Sequence, residues 1–381
     1  MLLPSYRSRA VAHARRWLAI PLLIASPWYG PPLHAQSRVQ IQGIVDGELW
    51  STTDSMSTRY LARDNGRLAP VGRAQVWGAV EALRNVVVYA HGEMEGGRGT
   101  DEGQYVGLEQ LAIRYTPSAR LVIDAGKFPH ILGVFAARRF STRNPLIGVP
   151  DAYPVQYPRG VKLSGAAKVF DYRIGAVDLP AVHPDYTPPP TRSWRPAVAA
   201  GITPYTGLRI GGSYTVGPYL NDEFTSAQLA GQDWKSYKQR VTAADMSYSI
   251  GYLVLNAEAA QGRFEVPNNS KTVDGYAYYV DGQYTLTPRF FVATRLERND
   301  YPFIAAFGNF WVATKTDFHN EEYGVGFRLT PSTLVKTSYR TDRWHVNPGN
   351  AAFVGPGGHA FALQVSQAYD VMEWIERART R

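Results

Sequence analysis

From Val39 onward the chain is written in a period of two. In Val39-Gln40-Ile41-Gln42-Gly43-Ile44-Val45-Asp46-Gly47-Glu48-Leu49, the apolar Val39, Ile41, Val45 and Leu49 fall on one face, and Gln40, Gln42, Asp46 and Glu48 on the other. One such strand fits any half-buried sheet. Repeated segments of about ten residues with this alternation, divided by turn residues, are the pattern of a membrane-spanning barrel.

The connections repeat with a regularity of their own. Tyr115-Thr116-Pro117, Ile202-Thr203-Pro204, Leu286-Thr287-Pro288 and Leu329-Thr330-Pro331 each read as a tight turn, because proline presets φ and cannot donate within a ladder. Further short turns fall near Leu83-Arg84, Val169-Phe170 and Ile250-Gly251. Between them lie long polar connections: Ser51 to Arg67, Gly96 to Gly103, Phe128 to Pro158, Ala181 to Arg195, Gly217 to Gln239, Arg263 to Lys271, Asp300 to Asn320, and Trp344 to Gly357. Seven short turns alternating with eight long loops imply sixteen strands. The expected fold class is all-β, a transmembrane antiparallel up-and-down β-barrel of about 16 strands.

Composition agrees with an exported β-protein. Tyrosine, at 24 residues, favours strands and interfacial girdles, and Tyr276, Tyr278 and Tyr284 share one parity, as do Phe290 with Val292, and Tyr323 with Val325 and Phe327. The absence of cysteine excludes disulfides and thiol catalysis. Residues 1–35 read as a signal peptide: Arg7, Arg9, Arg15 and Arg16 precede the apolar Trp17 to Ala25, and Ala35 offers a small residue for cleavage. Its removal takes four of the 40 basic residues and none of the 32 acids, leaving a mildly basic chain with no argument for nucleic acid. Residues 36–370 then form the barrel and 371–381 a short periplasmic tail.

Enzyme signatures are absent. The mature histidines, His91, His130, His183, His319, His345 and His359, are scattered without an HExxH, and there is no Gly-x-Ser-x-Gly or phosphate loop. No catalytic residue, metal site or cofactor is expected. A hydrolase whose Ser and His meet only in space stays open as an alternative.

The run Leu121-Val122-Ile123-Asp124-Ala125-Gly126-Lys127-Phe128-Pro129 is similar to the strand end of phosphate-selective-type porins, and the architecture resembles the Gram-negative outer-membrane porins. That resemblance implies a cell outer membrane location, lipid around the barrel, a homotrimer, and a third extracellular loop folded inward. The third long connection is Phe128 to Pro158, and 128–158 is therefore the expected constriction loop. Against the family's habit, twelve residues follow the aromatic Tyr369 that would close the last strand.

If apolar positions face lipid, their alternates line a lumen. The expected wall residues are Arg114, Arg120, Lys162, Arg173, Arg209, Arg295, Arg328, Lys336 and Arg340 on basic arcs, and Asp46, Glu48, Glu81 and Glu93, with Asp245, Glu258 and Asp281, on acidic ones. Segregated charge would set a transverse field across the pore. The loop adds Arg138, Arg139 and Arg143, with Arg159 at its exit, against Asp151. The expected function is passive diffusion of small hydrophilic solutes with a bias toward anions. A non-conducting barrel that holds a partner through its long loops is the alternative.

Overall fold

The structure is a computed structural model that describes residues 39–53, 68–97, 104–150, 156–182, 190–221, 233–267, 269–307, 310–345 and 357–372. Residues 1–35, Asp151, His183 and the tail beyond 372 lie outside the described residues.

Sixteen strands close into one barrel. In chain order they are β1 (Val39–Thr52), β2 (Ala69–Leu83), β3 (Val86–Gly97), β4 (Tyr105–Ser118), β5 (Leu121–Lys127), β6 (Arg159–Ala167), β7 (Phe170–Val177) and β8 (Arg195–Tyr205). They continue with β9 (Leu208–Pro218), β10 (Lys238–Ile250), β11 (Leu253–Phe264), β12 (Val273–Thr285), β13 (Phe290–Phe307), β14 (Phe310–Arg328), β15 (Thr333–His345) and β16 (Gly358–Asp370). Each strand pairs antiparallel with its sequence neighbours, and β1 meets β16 with Ile44 opposite Ala368. Closure leaves no unpaired edge, as lipid requires.

The alternation sorts side chains as the sequence implies, but inside out relative to a soluble protein. Val45, Val76, Ile113, Ile174, Val280 and Val365 stand exposed on the outer face, while Asp46, Gln75, Asp124, Asp281 and Gln364 are buried within. Outward aromatics gather near both strand ends: Tyr115, Tyr205, Tyr252 and Tyr284 by the short turns, and Tyr105 and Tyr276 by the long loops. An apolar band between aromatic girdles is the outer surface a bilayer selects. In β4 the parity changes. A bulge opposite His91 and Gly92 inserts Glu109, so Val106 and Leu108 face outward before it, Leu111 and Ile113 after it, and Glu109 is turned inward.

Two expectations about connections are corrected. β13 and β14 remain paired as far as Phe307 opposite Phe310, so the connection expected from Asp300 to Asn320 is a strand hairpin. Its sequence, Tyr301-Pro302-Phe303-Ile304 returning through Trp311-Val312-Ala313, is rich in strand formers. The turns expected at Thr116-Pro117 and Thr203-Pro204 lie slightly later, at Ala119-Arg120 and Thr206-Gly207. The ladders shift register between Tyr115 and Ser118 and between Ile202 and Tyr205, so each proline sits where regular pairing has already lapsed.

Candidate functional site

Among the described residues, the connection between β5 and β6 bonds to side chains on many strands of the wall. It leaves the wall through an antiparallel neck, with Phe128 N donating to Pro158 O at 3.1 Å and His130 N to Gln156 O at 3.0 Å. Phe128, Ile131, Leu132 and Phe135 then pack against Ala197, Ala199, Ala243, Ala260 and Ala277, all buried on interior positions of β8 and β10 to β12. Small wall residues leave the space that the loop's large ones fill, and this burial of apolar area contributes about 25 cal/mol per Å².

Polar anchors continue the path. At Gly133 the backbone adopts φ +68°, and a Cβ there would stand 2.4 Å from Glu258 Oε2. This close approach lets Val134 N donate to the Glu258 carboxylate at 3.0 Å, while Arg173 Nη1 donates to Gly133 O at 2.9 Å. Arg138 donates to both oxygens of Asp281 at 3.1 Å and to Tyr279 Oη at 2.9 Å. Arg139 turns the other way, to Glu93 of β3 and to Tyr157 Oη. Further along, Lys336 Nζ donates to the carbonyls of Ser141, Asn144 and Leu146 at 2.9, 3.0 and 2.8 Å. Arg295 reaches Gly148 O and Asn144 Oδ1, and Gly148 N donates to Glu322 at 2.9 Å. Ile147 ends in an apolar cluster with Trp50, Val71, Ala360 and Ala362.

The loop cations differ in surroundings. Acids beside Arg138 and Arg139 push both guanidinium pKa values up against the cost of burial. Arg143 donates to Ala137 O at 2.9 Å and lies 5.8 Å from the Phe140 ring centre, and burial brings it down to about 10, so it stays charged at neutral pH.

Wall charges interleave instead of segregating, which corrects the expected basic and acidic arcs. On β4 to β6, Asp124 is held by Arg114 at 2.5 Å and Lys162 at 3.1 Å. Arg209 joins Asp171 and Asp245. Arg73 of β2 sits among Glu48, Glu93 and Glu95. Arg295 lies near Asp281 and Glu322, and Arg340 bonds Asp342 at 2.9 Å. A buried charge is costly without a partner, so the interior pairs its charges strand by strand. Asp124, Asp171 and Arg73 were not among the expected wall residues, although Asp124 stands at the inward parity between Ile123 and Ala125.

Several expected residues fall elsewhere. Arg120 is exposed in the turn after β4, because the strand runs on to Ser118. Arg159 is exposed at the start of β6 on the outward parity of Val161 and Leu163, so it does not join the loop's anchors. Glu81 is exposed at the turn end of β2, and Arg328, near the turn end of β14, stands over the Phe291 ring at 5.1 Å. Asp46 is buried on β1, whereas Asp151 lies outside the described residues.

Between loop and wall is a cavity of about 280 Å³. Arg114, Lys162 and Arg173 border it from the wall and Arg143 from the loop, together with Trp77, Tyr89 and Phe140. Among the described residues, no carboxylate lines it.

No family model matches the chain, and no curated protein does. Solved structures do. Salmonella typhi OmpF in complex with daunomycin is 12% identical, with a TM-score of 0.61 over 87% of this chain and 97% of that one. An anion-selective porin from Comamonas acidovorans is 11% identical, with a TM-score of 0.59 over 88% of this chain and 100% of that one. The trimer form of the outer membrane protein OmpT of Vibrio cholerae is 14% identical, with a TM-score of 0.52 over 87% of this chain and 99% of that one. The fold of this chain is that of the outer-membrane porins.

Proposed function

We propose that the protein is a porin of the Gram-negative outer membrane: a passive channel for small hydrophilic solutes, biased toward anions and without enzymatic activity. The loop at 128–158 is its constriction, folded inward across the lumen. The observation that carries the reading is the cavity beside that loop, bordered by Arg114, Arg143, Lys162 and Arg173 and, among the described residues, by no carboxylate. Fixed positive charge at a narrow aqueous passage raises the local concentration of anions. Arg138 and Arg139, which the sequence points to first, are neutralised by Asp281 and Glu93 and serve to hold the loop. A homotrimer is proposed with it, in keeping with the trimer form of the Vibrio cholerae protein.

The test is a planar-bilayer recording with folded, heat-modifiable protein. Stepwise conductance is expected, with a reversal potential in a salt gradient displaced toward the anion potential. A second reading, a plugged barrel that binds a partner through its loops, is favoured by how much of residues 128–150 is buried. Folded protein that never conducts would establish that reading.

A further inference from the structure

The outer face of the barrel carries its charges in two ways. Arg240 is paired with Glu265 at 3.1 Å, Arg263 with Asp274 at 3.5 Å and Arg298 with Asp317 at 2.8 Å, so each of these outward arginines has a carboxylate beside it. β5 and β6 depart from this habit. Lys127, the last residue of β5, and Arg159, the first of β6, stand directly opposite each other in the ladder. Both take the outward parity, Lys127 with Ile123 and Ala125, and Arg159 with Val161 and Leu163. Like charges opposite one another on neighbouring strands, with Cβ atoms about 5 Å apart, repel. Lys127 Nζ donates to Leu108 O at 2.6 Å, an acceptor that does not neutralise the ammonium. Asp178, the acid next along this row, accepts from Arg159 N at 2.8 Å and from the Arg192 guanidinium at 2.6 Å. Among the described residues, the outward positions of β4 to β8 carry no acid.

The same row marks its own depth. Asp178 N donates to Arg159 O and Ser193 N to Asp178 O, both at 3.0 Å, so the row runs on to Trp194, which is 63% exposed. Tryptophan collects at the boundary between hydrocarbon and water. From there toward the short turns stand Val161, Leu163, Ile174 and Val198, all exposed and apolar. Two cations at headgroup level thus sit above a surface fit for acyl chains.

Resting on the outer-membrane reading, which turns the long-loop ends to the exterior, we propose that Lys127 and Arg159 together bind the phosphate of an outer-leaflet lipid whose headgroup is a phosphate monoester. Its acyl chains lie along Val161, Leu163 and Ile174. A phosphate monoester carries about −1.5 to −2 charges at neutral pH, which matches the two cations and relieves their repulsion. The guanidinium takes two phosphate oxygens in parallel hydrogen bonds, and the ammonium meets the same group as a point charge.

Native mass spectrometry of folded protein in neutral detergent, titrated with dioleoylphosphatidic acid or with dioleoylglycerol, tests this without needing conductance. Phosphatidic acid is expected to bind at least about tenfold tighter than dioleoylglycerol, which has the same chains and no phosphate. Sodium phosphate at matched ionic strength is expected to displace little of it at equal concentration, since it lacks the chains. Lys127→Gln and Arg159→Gln are each expected to weaken phosphatidic acid about fivefold, which is about 1 kcal/mol, and to leave dioleoylglycerol unchanged. Arg240→Gln, which removes an arginine that has its own acid, is expected to change neither. Equal binding of the two lipids would overturn the proposal in favour of ordinary annular lipid, and ready displacement by sodium phosphate in favour of a free-anion site. Undiminished affinity in a folded Arg159→Gln, or an equal loss in Arg240→Gln, would overturn it too. If Lys127→Gln fails the heat-modifiability check, Arg159→Gln decides alone. Conductance without a phosphatidic acid preference removes this inference alone, whereas that preference without conductance removes the channel reading alone.

Discussion

Arg138 Nη1 stands 3.1 Å from each carboxylate oxygen of Asp281, joining the loop after β5 to a strand seven places further along the barrel. Both groups are largely buried, so removing the Asp281 charge takes away the carboxylate that Arg138 bonds directly. Asp281→Asn is expected to destabilise the loop's seat by about 2–4 kcal/mol. Amide exchange in residues 135–148 should quicken while exchange in the barrel strands stays slow.

Lys336 offers a sharper case. Its single ammonium satisfies the carbonyls of Ser141, Asn144 and Leu146. Lys336→Met keeps the stem and removes all three charged hydrogen bonds, each net worth about 1.5–3 kcal/mol when partners cannot be replaced. Limited proteolysis between residues 141 and 150 is expected to appear in the variant and not in the parent.

Gly133→Ala places a Cβ at a positive φ and against Glu258. The conformational cost alone is about 1–2 kcal/mol. The contact between Val134 N and Glu258 should be lost, and channel recordings should become noisier than those of the parent.

Selectivity separates the anchoring cations from those beside the cavity. The double variant Arg138→Gln, Arg139→Gln is expected to loosen the loop yet shift the reversal potential little, since each charge removed had an acid beside it. The double variant Arg143→Gln, Arg173→Gln should shift it clearly toward cations. The reverse order of effects would contradict the assignment of pore charge to Arg143 and Arg173.

Acid should loosen the neck of the loop. His130 Nδ1 accepts from Leu132 N at 3.2 Å, and burial, aided by the Arg195 cation, lowers its pKa from 6.5 to about 3. Because the folded value is depressed, this contribution is complete above about pH 6.5 and is lost as pH falls toward 3. Exchange protection of residues 130–135 is expected to fall between pH 7 and pH 4, and His130→Asn should flatten the part of that slope above pH 5.

Strand number and the position of the third long loop are legible in the sequence because a period of two and the turn residues are local signals. Where the reading slipped, the cause was pairing. Nothing local to Asp300–Asn320 says that β13 and β14 stay zipped to Phe307 and Phe310, since only the partner strand supplies those hydrogen bonds. Likewise Arg120 and Arg159 look like any other strand-end arginine until the register fixes where each strand begins and which way it faces.

The sequence by itself determined a closed barrel of sixteen strands with charge inside, because alternation sets which face each residue takes and the spacing of turns sets the strand count. The tertiary structure alone decided which charges meet. Asp281 and Arg138 are 143 residues apart, and Lys336 lies more than 180 residues from every carbonyl it binds. Such pairings depend on closure bringing distant strands around one interior and on the alanine-lined wall leaving room for the loop. Arginines that look alike in the sequence are given different partners by that geometry: acids beside Arg138 and Arg139, and the Gly133 carbonyl beside Arg173 at the cavity.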